Sequence, residues 1–278
     1  MRNIKAKLIR DTVIKLVRKA SFDLRPDVIA ALRSALNKEK NQRAKRMLQA
    51  ILDNARIAKS DKLAICQDTG LPVVFAEIGQ DAHIVGGSLK EAINQGIASG
   101  YKQAYLRNSI IKAPLQRGRP GFTPAVIHTE IVAGNKIKLT LLPKGFGCEN
   151  KSKVKMFNPT APISAVREFI VDAVKEAGPD ACPPYVVGVG IGGTADYACL
   201  LAKKALLESV GRHASGVMRK IEKELLAEIN NLNIGPMGLG GKTTCLGVNI
   251  LTYPTHIAGL PVAVNISCHA LRSAAEVI

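Results

Sequence analysis

The period of the hydrophobic pattern changes along this chain, and that change limits its fold more than any single motif does. Over residues 4–57 apolar side chains return at helical spacing: Val13, Leu16 and Val17 share one face, and Pro26-Asp27 opens a second helix ahead of Ile29, Leu32 and Leu36. The first sixty residues are expected to form a helical layer. Residues 72–78 then read as a short strand, and two β-rich runs, 123–132 and 136–142, meet at Gly134-Asn135, a hairpin signal. Further on, a helix is expected over 163–177, an apolar strand over 185–189 ending in a glycine-rich turn, and helices over 196–208 and 214–230. Buried strands are expected over 245–251 and 261–267, separated by a loop over 253–259. The class is α+β: a helical N-terminal layer over residues 1–60 packed with a mixed β-sheet region over 61–278, as one domain without repeats or linkers.

Composition excludes several classes. With 278 residues and 47% hydrophobic content the chain has enough apolar side chains for a continuous core. A charged residue interrupts every apolar run before the roughly 20 residues that a membrane span needs, and the first twenty residues alternate basic and apolar side chains, unlike a leader peptide. A cytoplasmic protein is expected. The net charge of +17 invites a nucleotide- or nucleic-acid-binding reading. Much of that charge, however, lies between Lys38 and Lys62, interleaved with Leu48, Ile51, Leu52 and Ile57 as on the solvent face of an amphipathic helix. With no Trp and only 4% aromatics, stacking platforms are scarce.

Six cysteines are too sparse for a secreted disulfide framework, and none forms a Cys-x-x-Cys pair. Three sit at expected element ends: Cys66 in Cys-Gln-Asp-Thr-Gly, Cys182 in Ala-Cys-Pro-Pro and Cys268 in Ser-Cys-His-Ala. Three thiolates on a four-iron cluster would leave one iron open as a Lewis acid. Spacing alone favours unrelated buried thiols. Cys199 and Cys245 stand among apolar neighbours and read as core, whereas Cys148 lies in a polar glycine loop and is ambiguous.

Two glycine motifs point toward phosphates and then fail on context. Gly188, Gly190 and Gly193 satisfy Gly-x-Gly-x-x-Gly, yet no second strand with a terminal acid follows about 20 residues on, so close helix-on-strand packing is the better account. Gly241-Lys242-Thr243 resembles the end of a P-loop, but Pro236 stands where its first glycine belongs and a strand follows. Such a loop can still offer backbone N–H groups to a carboxylate, or be only a tight turn.

Taken in order, ICQDTG at 65–70, KEAGPDACPPYVVGVGIGGT at 175–194, GPMGLGGKTT at 235–244 and YPTHIAGLPVAVNISCHA at 253–270 resemble the class I fumarate hydratase and L-tartrate dehydratase family, over essentially the whole chain and as its alpha subunit. The resemblance implies a 4Fe-4S cluster held by Cys66, Cys182 and Cys268, and excludes Cys199 and Cys245 as ligands. Cys148, in Gly-Phe-Gly-Cys-Glu-Asn, departs from the serine expected there. Gln67 and Asp68, beside Cys66, are expected at the substrate, with Asp68 as acid-base group; a turn-capping carboxylate is the plainer role for Asp68. His256 matches a substrate-contacting histidine, also expected to serve catalysis, and Gly147 a substrate-binding glycine. Arg107 is assigned to a substrate carboxylate, since a guanidinium fork fits paired oxygens; otherwise it is a surface arginine after a helix. His269 is expected to orient the site or to be a satisfied buried histidine, and His128 to be exposed or near the site entrance without a required role.

The activity implied is reversible hydration of fumarate to (S)-malate, with L(+)-tartrate as the nearest alternative substrate. Because the chain ends ten residues after Cys268, a separate beta subunit in an alpha-two beta-two assembly is expected to complete the enzyme, without a nucleic-acid or membrane partner.

Overall fold

A computed structural model describes residues 1–211 and 216–278. In chain order the elements are β1 (Arg2–Lys5), α1 (Ala6–Phe22), α2 (Pro26–Lys38), α3 (Gln42–Asp61), β2 (Leu71–Gly79), β3 (Ala82–Val85), α4 (Leu89–Gln103), β4 (Val126–Val132) and β5 (Ile137–Lys144). These are followed by α5 (Phe146–Glu149), β6 (Lys153–Phe157), α6 (Ile163–Ala177), β7 (Tyr185–Gly193), α7 (Ala195–Ala205), α8 (Gly216–Asn230), β8 (Cys245–Thr255), β9 (Leu260–Ser267) and β10 (Ala274–Val277). The mixed content agrees with the α+β class. The helix expected over 214–230 begins at Gly216, and its first two expected residues, Ala214 and Ser215, lie outside the described residues. Among the described residues no helix is long and apolar enough to cross a membrane.

The chain forms two compact units. The first comprises residues 1–24, 55–146 and 272–278 and carries a four-stranded sheet of order β10-β5-β2-β4. Helices α1 and α4 pack on each other because α4 has glycine where α1 has valine: a Cβ at Gly96 would lie 2.7 Å from Val13 Cβ, and one at Gly100 2.9 Å from Val17 Cβ. Ile9, Val13, Leu16, Ile93, Ile97, Leu139 and Leu141 belong to the resulting core. Those same glycines weaken the helical signal of α4 in the sequence, where a helix is expected ahead of Arg107 but without bounds.

The second unit comprises residues 25–54 and 147–271, with a sheet of order β6-β9-β7-β8. Pro26 occupies the first turn of α2, as expected. Of the helices in the first sixty residues, α1 belongs to the first unit and α2 to the second.

Two sequence expectations are corrected by the pairing. Strands β4 and β5 are not a hairpin: β2 lies between them, parallel to β4 and antiparallel to β5. With Val73, Val74, Phe75 and Ala76 all buried, β2 is a central strand that needs a partner on each edge. The connection through Gly134 passes around the end of β2, where Gly79 N donates to Lys136 O (2.8 Å), Gln80 N to Val132 O (2.8 Å) and Asp81 N to Gly134 O (2.9 Å).

The second correction concerns the glycine-rich turn after residue 189, which is instead a continuation of β7 as far as Gly193. Helix α7 lies directly on it: a Cβ at Gly188 would come 2.1 Å from Ala202 O, and one at Gly190 2.1 Å from Ala198 O. The motif is therefore a packing device, as its failed context suggested. Gly190→Ala should destabilise the protein by at least about 1–3 kcal/mol, the usual cost of overpacking, read as a lowered thermal midpoint; an unchanged midpoint would contradict this contact.

Candidate active site

In the first unit, residues 66–70 are irregular backbone between α3 and β2, so their polar groups need tertiary partners. Asp68 supplies two: its Oδ1 accepts from Gly70 N (3.0 Å) and its Oδ2 from Phe146 N (2.7 Å). The Tyr101 hydroxyl donates to the carbonyls of Thr69 and Gly70, at 3.2 Å each. Burial pushes the Tyr101 phenol above its ordinary range, with Arg272 opposing and Asp68 reinforcing the shift, so it remains a donor. Thr69 Oγ1 donates to Arg107 O (3.2 Å). These bonds bring Cys66, Gln67, Asp68 and the Arg107 backbone into one cluster, with Gln67 and Arg107 exposed and Cys66 and Asp68 half-buried. Gly70 has a positive φ of 81° and lies against Pro143, where a side chain would not fit.

In the second unit, Cys182 adopts a left-handed backbone (φ 58°) between Ala181 and the buried Pro183-Pro184. Its carbonyl accepts from His269 N (3.5 Å) and lies 3.1 Å from His269 Nδ1. His269 thus ties the Cys182 segment to that of Cys268. Met237 N donates to Pro183 O (2.9 Å), fastening the 235–244 glycine loop to the same frame.

His256 is exposed on the loop between β8 and β9. Its Nδ1 accepts from Ala258 N (3.2 Å), which assigns the proton of the neutral ring to Nε2 and leaves Nε2–H as an outward donor. Thr255 Oγ1 donates to Gly193 O or Gly259 O (3.2 Å each), so the glycine end of β7 seats this loop. Gly147 lies in α5 beside Phe146, and a Cβ there would meet nothing within 4 Å, which leaves its backbone approachable.

The six cysteines separate by environment. Cys66, Cys182 and Cys268 are half-buried, Cys148 and Cys245 buried, and Cys199 exposed. Burial pushes the Cys245 thiol up to about 12, which disfavours the thiolate a metal requires. Cys199 was expected in the core but lies one position round α7 from the buried face of Ala198, Leu201, Ala202 and Ala205. Burial also raises its thiol, against the lowering effect of Lys203. Cys148 is buried, and its Sγ–H donates to Ala181 O at 3.2 Å. His128, expected to be exposed, is half-buried and stacks on Phe75 with ring centroids 5.2 Å apart. Among the described residues no group of three or more His, Cys, Asp and Glu side chains is gathered to hold a metal ion. Cys66, in the first unit, and Cys182 and Cys268, in the second, are each half-buried on irregular backbone, the kind of setting in which a thiolate can serve as a ligand.

The 241–244 loop offers its amide to a carboxylate within the chain. Glu39 Oε2 accepts from Lys242 N (2.7 Å), while Oε1 accepts from Lys40 N (2.9 Å) and Asn41 N (3.0 Å). Although burial raises the Glu39 pKa, the amide bonds and the Lys242 charge outweigh it and the net shift is downward. Glu39, Tyr101 and Arg272 were not anticipated in the sequence because their partners lie far along the chain.

A sequence model of the family described as "Fumarate hydratase (Fumerase)" matches residues 10–277. A Methanocaldococcus jannaschii protein named "Putative L(+)-tartrate dehydratase subunit alpha" is 40% identical over 276 residues, covering 96% of each chain. The "L(+)-tartrate dehydratase subunit alpha" of Escherichia coli strain K12 is 27% identical over 251 residues, covering 88% of this chain and 82% of the relative. The chain is a hydro-lyase polypeptide. It belongs to the fumarate hydratase family.

Because the Glu39 pKa is lowered on folding, its contribution to stability is present above the unfolded value and lost as pH falls through the folded one. Glu39→Gln should cost about 1–3 kcal/mol near neutral pH and flatten the acid limb of the stability profile; an unaltered acid limb in denaturant titrations would contradict the role of this carboxylate.

Proposed function

We propose that this chain is the alpha subunit of a 4Fe-4S-dependent hydro-lyase that adds water reversibly to fumarate to give (S)-malate. The family match over residues 10–277 carries this reading. A second reading, dehydration of L(+)-tartrate, is favoured by the printed names of the relatives at 40% and 27% identity. Both use a four-carbon dicarboxylate and the same chemistry, and one hydrogen bond to the extra hydroxyl can separate them. The names of those relatives as alpha subunits support a separate beta subunit, which we place in an alpha-two beta-two assembly with residues 1–278 acting as one catalytic domain. The chemistry of an iron-sulfur centre suits the cytoplasm, where thiols stay reduced.

Cys66, Cys182 and Cys268 would hold the cluster, which when bound supplies a Lewis-acid position with no protein ligand. Asp68 exchanges the proton at the substrate carbon, and the amides of Gly70 and Phe146 keep its carboxylate in one orientation. His256 donates Nε2–H to a substrate carboxylate, with Arg107 pairing the other carboxylate and Gln67 and Gly147 supplying further contacts.

The test is anaerobic co-expression with the candidate beta subunit, followed by iron and sulfide analysis and assays with fumarate and with L(+)-tartrate. Serine at Cys66, Cys182 or Cys268 should abolish the cluster, whereas serine at Cys199 or Cys245 should leave it intact. Wild-type protein without iron, or cluster loss in Cys148→Ser, would reject the three-cysteine centre. Asp68→Asn should lower kcat by about 100-fold or more with iron retained, and turnover close to wild type would leave Asp68 only its turn-capping role.

A further inference from the structure

Arg272 is 4% exposed, yet among the described residues its guanidinium forms no ion pair with a carboxylate. Its Nη2 donates to the carbonyl of Asp68, and its Nε–H, shielded from solvent, has no protein acceptor. Removing a charge from water without an opposite charge or a complete set of hydrogen bonds is costly, and an apolar side chain of similar length would avoid that cost. An arginine at this place therefore detracts from stability unless its charge serves something else.

The bond it makes falls on the segment that matters most. Asp68 follows Cys66 by two residues, and Arg272 follows Cys268 by four. Together with Tyr101 on the next two carbonyls, Arg272 completes a row of donors that occupies the carbonyls of Asp68, Thr69 and Gly70. The carboxylate of Asp68 is meanwhile held by amides, so no side-chain cation in the cluster is consumed in pairing with it.

We propose that Arg272 is a positioning residue: it fixes the 66–70 segment through the Asp68 carbonyl, and its unpaired charge is the counter-charge for the carboxylate that segment presents, that of Asp68. The inference rests on the reading of Asp68 as the acid-base group.

The test uses the assembled enzyme with Arg272→Met, which keeps length and removes charge, and Arg272→Lys, which keeps charge. Three quantities are read: thermal midpoint, amide hydrogen exchange over residues 67–70, and steady-state kinetics. In Arg272→Met the midpoint should hold or rise, exchange over 67–70 should quicken by about tenfold or more, and kcat should fall by about tenfold or more with KM within about threefold. Arg272→Lys should recover part of both losses. A purely structural role predicts a lowered midpoint with kcat unchanged, and that result overturns the proposal, as does wild-type exchange or wild-type kcat in a folded Arg272→Met protein. If Arg272→Met does not fold, Arg272→Lys decides alone: quicker exchange with reduced kcat supports the proposal, and any other combination overturns it. If the wild-type assembly holds no iron and hydrates neither substrate, the functional reading fails, while the exchange comparison still decides whether Arg272 fixes the segment.

Discussion

Irregular backbone that carries chemistry must satisfy its polar groups without a helix or a sheet, and in this protein a few side chains meet that requirement. Asp68 takes the amides of Gly70 and Phe146, while Tyr101 and Arg272 cap the carbonyls of residues 68–70. In the second unit His269 does the same for Cys182, and Glu39 for the 241–244 loop. Tyr101 stands on α4, Glu39 directly follows α2, and Arg272 lies just ahead of β10, so the precision of helices and sheets passes to loops that have none of their own.

The glycines serve this end in an unexpected way. At Gly188 and Gly190 they bring α7 onto β7, and Gly193, in the same run, accepts from the Thr255 hydroxyl and so seats the loop bearing His256. The motif resembles a phosphate cradle because both uses need backbone without Cβ. The charged loop at Lys242 illustrates the same ambiguity: its amide faces a carboxylate, but that carboxylate is Glu39.

Periodicity was enough to anticipate α6, whose bounds agree residue for residue, and the strands β2, β8 and β9 within a few positions. Local context placed Cys66, Cys182 and Cys268 at element ends, where they are half-buried, but it left Cys148 undecided. Pairing was not legible: β4 and β5 look like a hairpin because the turn between them is a good one, and only the need of β2 for two partners breaks it apart. Cys199 was misplaced because a single step on a helix moves a side chain by 100° or so. Arg272 and Glu39 could not be found locally, since their partners lie 204 and 203 residues away.

The proposed three-cysteine cluster, at which one iron meets the substrate, can be probed by Mössbauer spectra of the assembled, iron-57-labelled enzyme recorded with and without dicarboxylate. The substrate should perturb one iron of the four and leave the other three alone. Four irons indifferent to substrate, or none bound, would contradict it.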